Sequence, residues 1–298
     1  MKLLILASFA AVSLYGQQNL ILGEDAVKIS EHVWAIMGVP NIGIVVGTRA
    51  TLVVDTGLGA RNGAIIARVA GKLSVPNAKL YLTTTHFHPE HAAGDAGFPA
   101  ATILVRDAVQ QQETELHGKE MLVQFGRLSA QAKELLADVS LRPPDLIFND
   151  EVQIDLGGVT ARLLWFGGAH TKGDELTFVE PDRTLISGDV VQNKVVPGIY
   201  GSTSGDGGTP SSWLRVLDKV AALNPAHVLP DHSAPGDGSL VMLERAFIGD
   251  LRTRALALKN QGVTPDEAGK RLSTELKAKY PDWPNMNVAS FVESAYAE

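Results

Sequence analysis

The segment Thr85-His86-Phe87-His88-Pro89-Glu90-His91 is dense in groups that bind cations. Three of the eight histidines fall within six consecutive residues, with a carboxylate between the last two. Neutral imidazole and carboxylate suit zinc and related divalent ions. In an extended or turning loop, residues i and i+2 can aim at one point, so His86 and His88 can share a centre. The turn after them can carry Glu90 and His91 to a second point a few ångströms away. Packing gives no reason for such a density of histidine, and the plain alternative is a chance cluster on a solvated loop.

Three more elements follow, each where a strand pattern gives way to a loop. Leu164-Trp-Phe-Gly-Gly-Ala-His170-Thr-Lys-Gly-Asp174 puts a histidine in a glycine-rich turn, Leu185-Ile-Ser-Gly-Asp189 ends on an aspartate, and Val228-Leu-Pro-Asp-His232 ends on a histidine. Taken singly, each reads as a cap or a surface residue. Their ordered recurrence at strand ends is what points to a shared centre.

The elements that must position these residues are legible from periodicity. Val33–Ile36, Ile42–Val46 and Thr51–Val54 are short β-branched runs broken by turn residues. Apolar positions Ala60, Ala64, Ile65, Val69 and Leu73 have helical spacing, and Lys79–Thr83 returns as a strand. Residues 106–139 read as mostly helical, with Gly118 and Gly126 as interruptions. Strand patterns resume at Leu146–Phe148, Val152–Leu156, Val159–Trp165, Glu175–Val179 and Thr184–Ile186. Helices close the chain. Thr209-Pro210 and Thr264-Pro265 place a capping hydroxyl before a proline, and Glu267 adds a capping box to the second. Two β-rich halves with helices outside predict two sheets packed face to face.

Composition bounds the function. The chain has 298 residues, 45% hydrophobic and 20% charged, as in an ordinary globular protein. Its net charge of -7 gives no general attraction to nucleic acid or anionic lipid. Cysteine is absent, which excludes disulfides and thiolate ligands. Lys2 followed by the apolar run Leu3–Val12 and a polar exit predicts a secretory signal peptide over residues 1–16, and hence a periplasmic or secreted protein. No other apolar stretch approaches membrane length.

With these motifs in order, the sequence resembles the metallo-β-lactamase superfamily. Its hallmark His-x-His-x-Asp-His is matched by His86–His91, with support from Val53-Val-Asp55-Thr-Gly57, the His170 turn, Ser187-Gly-Asp189 and Pro230-Asp-His232. The resemblance runs over about residues 27–235 and implies a four-layer αββα sandwich with the metals at one edge between the sheets. The expected division is a catalytic domain over 17–238 and, over 239–298, an amphipathic helical extension that packs on it, lids the site or forms a dimer contact. Carried over, His86, His88 and His170 would hold a first metal. Glu90, His91 and His232 would hold a second, with Asp189 bridging. Two Zn2+ are the expected occupants, with a single ion, iron or manganese as alternatives. Asp55 would orient ligands by hydrogen bonds, or else be bound by its own turn. Glu90 departs from the family, which has Asp there; its extra methylene leaves ligation or base chemistry open.

Two such ions sharing a water would lower its pKa and supply hydroxide near neutrality. The expected activity is hydrolysis of an amide or ester in a small, cyclic or linear substrate, β-lactams included. Catalysis would centre on Glu90 and Asp189. Met37, Lys172, Lys194 and Tyr200 are candidate substrate contacts. A thioester hydrolase resembling glyoxalase II, a phosphodiesterase and a non-catalytic metal carrier are the rivals, and the phosphodiesterase lacks the basic surface it would need. The serine-hydrolase elbow is absent, since Gly201-Ser-Thr-Ser-Gly205 has threonine at its centre.

Overall fold

The computed structural model describes residues 19–199 and 208–298. The expected signal peptide and Tyr200 lie outside them. Seven strands form one sheet in chain order: β1 (Ala26–Lys28), β2 (Val33–Ile36), β3 (Ile42–Val46), β4 (Ala50–Val54), β5 (Lys79–Thr83), β6 (Ile103–Asp107) and β7 (Leu146–Phe148). The second sheet contains β8 (Glu151–Asp155), β9 (Thr160–Trp165), β10 (Glu175–Glu180), β11 (Thr184–Gly188), β12 (His227–Pro230) and β13 (Gly236–Asp237), in spatial order β13-β12-β11-β10-β9-β8. Pairing is parallel for β4/β5, β5/β6, β6/β7 and β11/β12 and antiparallel elsewhere. Helices α1 (Ala60–Leu73), α2 (Pro89–Ala92), α3 (Ala108–Phe125) and α4 (Ala130–Leu135) belong to the first half, while α5 (Pro210–Ala222), α6 (Ser239–Asn260), α7 (Pro265–Lys279) and α8 (Ala289–Ala297) belong to the second.

The strand period of two sorts side chains into layers. Val33, Ala35, Val45, Leu52 and Val54 of the first sheet meet Leu163, Val179, Ile186 and Leu229 of the second. The alternate residues Ile36, Ile42, Ile44 and Val53 face Ile65, Ile66 and Val69 of α1. On the far side, Leu176, Phe178, Leu185 and Val228 pack against Trp213 of α5 and Phe247, Ile248 and Leu251 of α6, and the same core continues to Leu272 of α7 and Phe291 of α8. The result is the αββα sandwich, with the C-terminal helices in its outer layer. Each fully buried aliphatic side chain in these layers contributes roughly 1.5–3 kcal/mol.

Three details differ from the sequence reading. Strand β6 replaces what reads as the start of a helix, because Arg106 and Asp107 are fully buried there. Helix α3 runs through Gly118 without a break; a Cβ at that position would come within 2.7 Å of the Leu141 side chain, so the glycine serves close packing. The complete capping box is Thr209 with Ser212, whereas Thr264 accepts from the Glu267 N–H with no reciprocal bond.

Asp107 caps α3, accepting from the N–H groups of Val109 and Gln110 at 2.9 Å. Burial pushes its carboxyl up from 3.8 to about 7, against the lowering effect of those two bonds. Between those values the folded chain keeps a proton that the unfolded chain has released, so this group makes stability fall as pH rises. Asp107→Asn keeps a good cap and removes the titration. In urea unfolding of the metal-free proteins, the variant is expected to gain on wild type by up to ~1.4 kcal/mol per pH unit from pH 4 to pH 7. A pH-independent difference would contradict this.

Candidate metal centre

The expected ligands sit where strands deliver them. Asp55 follows β4, His86 and His88 follow β5, His170 lies between β9 and β10, Asp189 follows β11 and His232 follows β12. Two of these strand pairs, β4/β5 and β11/β12, are parallel, so their carboxyl ends open the same edge of the sandwich, the usual place for a ligand in such sheets. Asp55 has a left-handed backbone (φ 73°), which turns the chain sharply out of β4. Gly188 (φ 55°) has no room for a side chain, because a Cβ would lie 2.7 Å from Thr85 Cβ. Only glycine lets the end of β11 approach the end of β5 this closely.

Spacing tests whether a cation belongs here. Four ligands at 2.0–2.1 Å in tetrahedral array lie roughly 3.3 Å apart. His86 Nε2 is 3.0 Å from His88 Nδ1, which is 3.3 Å from His170 Nε2. His170 Nε2 is 3.3 Å from Asp189 Oδ2. On the other side, Asp189 Oδ1 is 3.4 Å from His232 Nε2, which is 3.2 Å from His91 Nε2. Glu90 Oε1 lies 3.8 Å from His91 Nε2, within one ligand group with His91 and His232. The donors thus form two adjoining sets, joined by a grouping of His86, His91 and Asp189, with Asp189 Oδ2 beside His170 and Oδ1 beside His232.

The electrostatics favour the same arrangement. Burial and the crowding of neighbouring imidazoles lower His86 and His88 well below the usual histidine value, and burial also lowers His232, against the pull of Asp189. All three are neutral near pH 7, the form that ligates. Burial opposes ionisation of Asp189, but the surrounding histidines, His232 and His170 first, hold it down to about 2. His91 differs. Burial would lower it, yet Asp55 and Asp231 raise it well above its ordinary value. Its Nδ1 lies 2.9 Å from Asp55 and 3.2 Å from Asp231, which directs Nε2 at the centre. A carboxylate behind an imidazole is the arrangement that fixes tautomer and ring orientation in metal sites.

Asp55 also accepts from Thr85, from the N–H at 2.7 Å and the hydroxyl at 3.0 Å, so it ties β4, β5 and His91 together beyond its own turn. Asp231 is fully buried, and burial together with Asp55 pushes its carboxyl well above the usual range. It was overlooked in the sequence, although a carboxylate beside His232 at a strand end is the available signal. The His170 turn is held by Asp174, which accepts from Ala169 N–H at 2.8 Å and from the Thr171 hydroxyl at 2.6 Å, and by Glu113 of α3, which accepts from Gly173 N–H at 2.8 Å.

The remaining candidates lie at or beyond the rim. Met37 is 40% exposed, on the loop that Asn41 stitches to the His232 loop through Pro230 O at 2.8 Å and Ser233 O at 2.9 Å. Lys172 is exposed on the His170 turn. Lys194 is paired with Asp282, before α8, at 2.6 Å, and so points to the helical extension. A second histidine group, Glu31, His32 and Asp182, braces the β1–β2 turn against the β10–β11 turn, with His32 Nδ1 2.6 Å from Asp182.

An αββα sandwich carries two adjoining sets of imidazole and carboxylate at one sheet edge, an arrangement that suits divalent metals. A family model for the metallo-β-lactamase superfamily matches residues 36–232, and the chain belongs to that superfamily, whose members bind divalent metals. It is 24% identical over 254 residues to a linear primary-alkylsulfatase of Pseudomonas sp. (strain ATCC 19151), an alignment that takes in 72% of this chain and 46% of that protein. The chain thus spans about half the length of the curated relative it matches. Among solved structures it is similar to a metallo-β-lactamase from Pontibacter korlensis, with TM-score 0.58 and 19% identity over 76% of this chain and 98% of that one. It is also similar to a stereoselective inverting sec-alkylsulfatase from Pseudomonas sp., with TM-score 0.63 and 16% identity over 93% of this chain and 50% of that one. At these identities the structural likenesses speak for the fold.

Proposed function

We propose that the chain is an exported two-zinc hydrolase that opens an ester or amide bond of a small substrate, lactones and lactams included. The observation that carries this reading is the division of the Asp189 carboxylate between two ligand sets, Oδ2 beside His170 and Oδ1 beside His232. His86, His88 and His170 would hold one ion, and Glu90, His91 and His232 the other. When bound, the pair would lower the pKa of a shared water toward neutrality and polarise the scissile bond. The protein's own part is positional: Asp55 and Asp231 aim His91, while Asp174 and Glu113 set the His170 turn. The predicted signal sequence supports export.

A sulfate ester is the second reading. It is favoured by the alkylsulfatase match and by a groove of about 820 Å³ between α3 and α4, where Leu122, Val123 and Leu136 lie beside Lys119, Arg127 and Lys133. Apolar walls with cations suit an anionic amphiphile. Phe125 of α3, next in the chain to the groove residue Gly126, lies 6.1 Å from the His88 ring, centroid to centroid.

Zinc-loaded protein assayed on a chromogenic cephalosporin, a lactone, a thioester, a phosphodiester and a long-chain alkyl sulfate separates the readings. Turnover of the lactone or cephalosporin is expected under the first reading and of the alkyl sulfate alone under the second. Stoichiometric zinc uptake with no turnover of any of them would leave a metal carrier.

A further inference from the structure

After β11 the chain turns tightly through residues 189–193. Ser187 Oγ donates to Val191 O at 2.9 Å, and Trp213 Nε1 donates to Val190 O at 3.0 Å, so the middle of the turn is anchored. This returns the Gln192 side chain, which is 3% exposed, to a place beneath Asp189. Its Nε2 lies 2.8 Å from Asp189 Oδ1, and its Oε1 lies 2.8 Å from the Ser233 hydroxyl.

The amide's orientation follows from the backbone. The Ser233 oxygen accepts the N–H of Asn193 at 2.8 Å. Its own hydrogen is therefore free to go to Gln192 Oε1, which leaves the Gln192 NH2 to donate to the aspartate. The polarity of the whole chain, Asn193 N–H to Ser233 to Gln192 to Asp189, is set by one main-chain donor. Gln192 thus occupies one acceptor site on Oδ1, the oxygen that faces His232, and makes no contact with Oδ2. It also joins the Asp189 turn to Ser233, the residue after His232.

We infer that Gln192 is a positioning residue that fixes the rotation of the Asp189 carboxylate, so that one oxygen serves each ligand set. The inference rests on the two-metal reading above. Without this bond the carboxylate can turn about its Cβ–Cγ axis and present both oxygens to one ion. The cost falls on the set formed by Glu90, His91 and His232. The set formed by His86, His88 and His170 keeps its three imidazoles.

The test is a zinc titration of metal-free protein against a fluorescent chelator, with thermal unfolding of the same metal-free samples. Wild type is expected to bind zinc in two steps. Gln192→Leu, which keeps the bulk and loses the donor, is expected to weaken one step tenfold or more and to leave the other within about twofold of wild type. Ser233→Ala, which removes only the hydroxyl that orients the amide, is expected to weaken the same step several-fold. It carries the test alone should the leucine variant fail to fold. Equal weakening of both steps would mark a merely structural role, and unchanged steps in both variants would also overturn the inference. A single step in wild type overturns it as well, since no second ion would face Oδ1. A wild-type chain that takes up no metal overturns the two-metal reading itself.

Discussion

Changing His88 to alanine is expected to strip the first ion from the protein and abolish turnover while leaving the metal-free chain folded. His88 Nδ1 is the atom common to the two short imidazole contacts, 3.0 Å to His86 and 3.3 Å to His170, so its loss opens that set at its middle. Outer partners of metal ligands are worth about 10–100-fold in affinity or activity, and a ligand itself should exceed that range. Outside the centre the His88 ring meets Phe87 and Phe125, contacts that an alanine loses without leaving a polar group unpaired. His88 stands at the N-cap of α2 but makes no side-chain capping bond there. Elemental analysis after dialysis, metal-free melting and turnover on the responsive substrate check the three parts. Turnover at the wild-type rate would show that the centre lies elsewhere.

The second large effect is expected at Glu90. Its Oε1 approaches His91 Nε2 to 3.8 Å, within reach of an ion shared with His232. As a ligand, it should make Glu90→Gln lose the second zinc at least tenfold, with the rate falling in parallel and recovering in excess zinc. Glu90→Asp should keep the second zinc, because it restores the shorter carboxylate of the family motif. A base role predicts another pattern: the glutamine variant would hold both ions and still lose its rate. Zinc stoichiometry measured beside the rate separates the two outcomes.

Strands β2 to β5 and β7 to β11, α1 and the clustered histidines and aspartates were legible because each rests on local pattern. Short β-branched runs bounded by turn residues mark β2 to β4, and a histidine or aspartate at the end of an apolar run marks each candidate ligand position. What escaped depends on partners far away in the chain. Arg106 and Asp107 read as the start of a helix, yet tertiary packing buries both in β6. Asp231 offers only its place beside His232, and Gln192 has an ordinary sequence setting. Their roles come from His91 and Asp189, which only the folded chain brings beside them. Gly118 reads as a helix breaker because propensity carries no information about Leu141 packing against that face.

The ligand set has a further meaning for a chain that contains no cysteine. His86, His88 and His91 come from the end of the first sheet, and His170, Asp189 and His232 from the second. An ion held between them is a covalent-like cross-link, closing long loops of the chain much as a disulfide would and narrowing the freedom of the unfolded state. It also favours the folded state by mass action, by about 4 kcal/mol when free metal stands a thousandfold above its Kd. The supply of metal would then set how long the protein lasts as well as how fast it works.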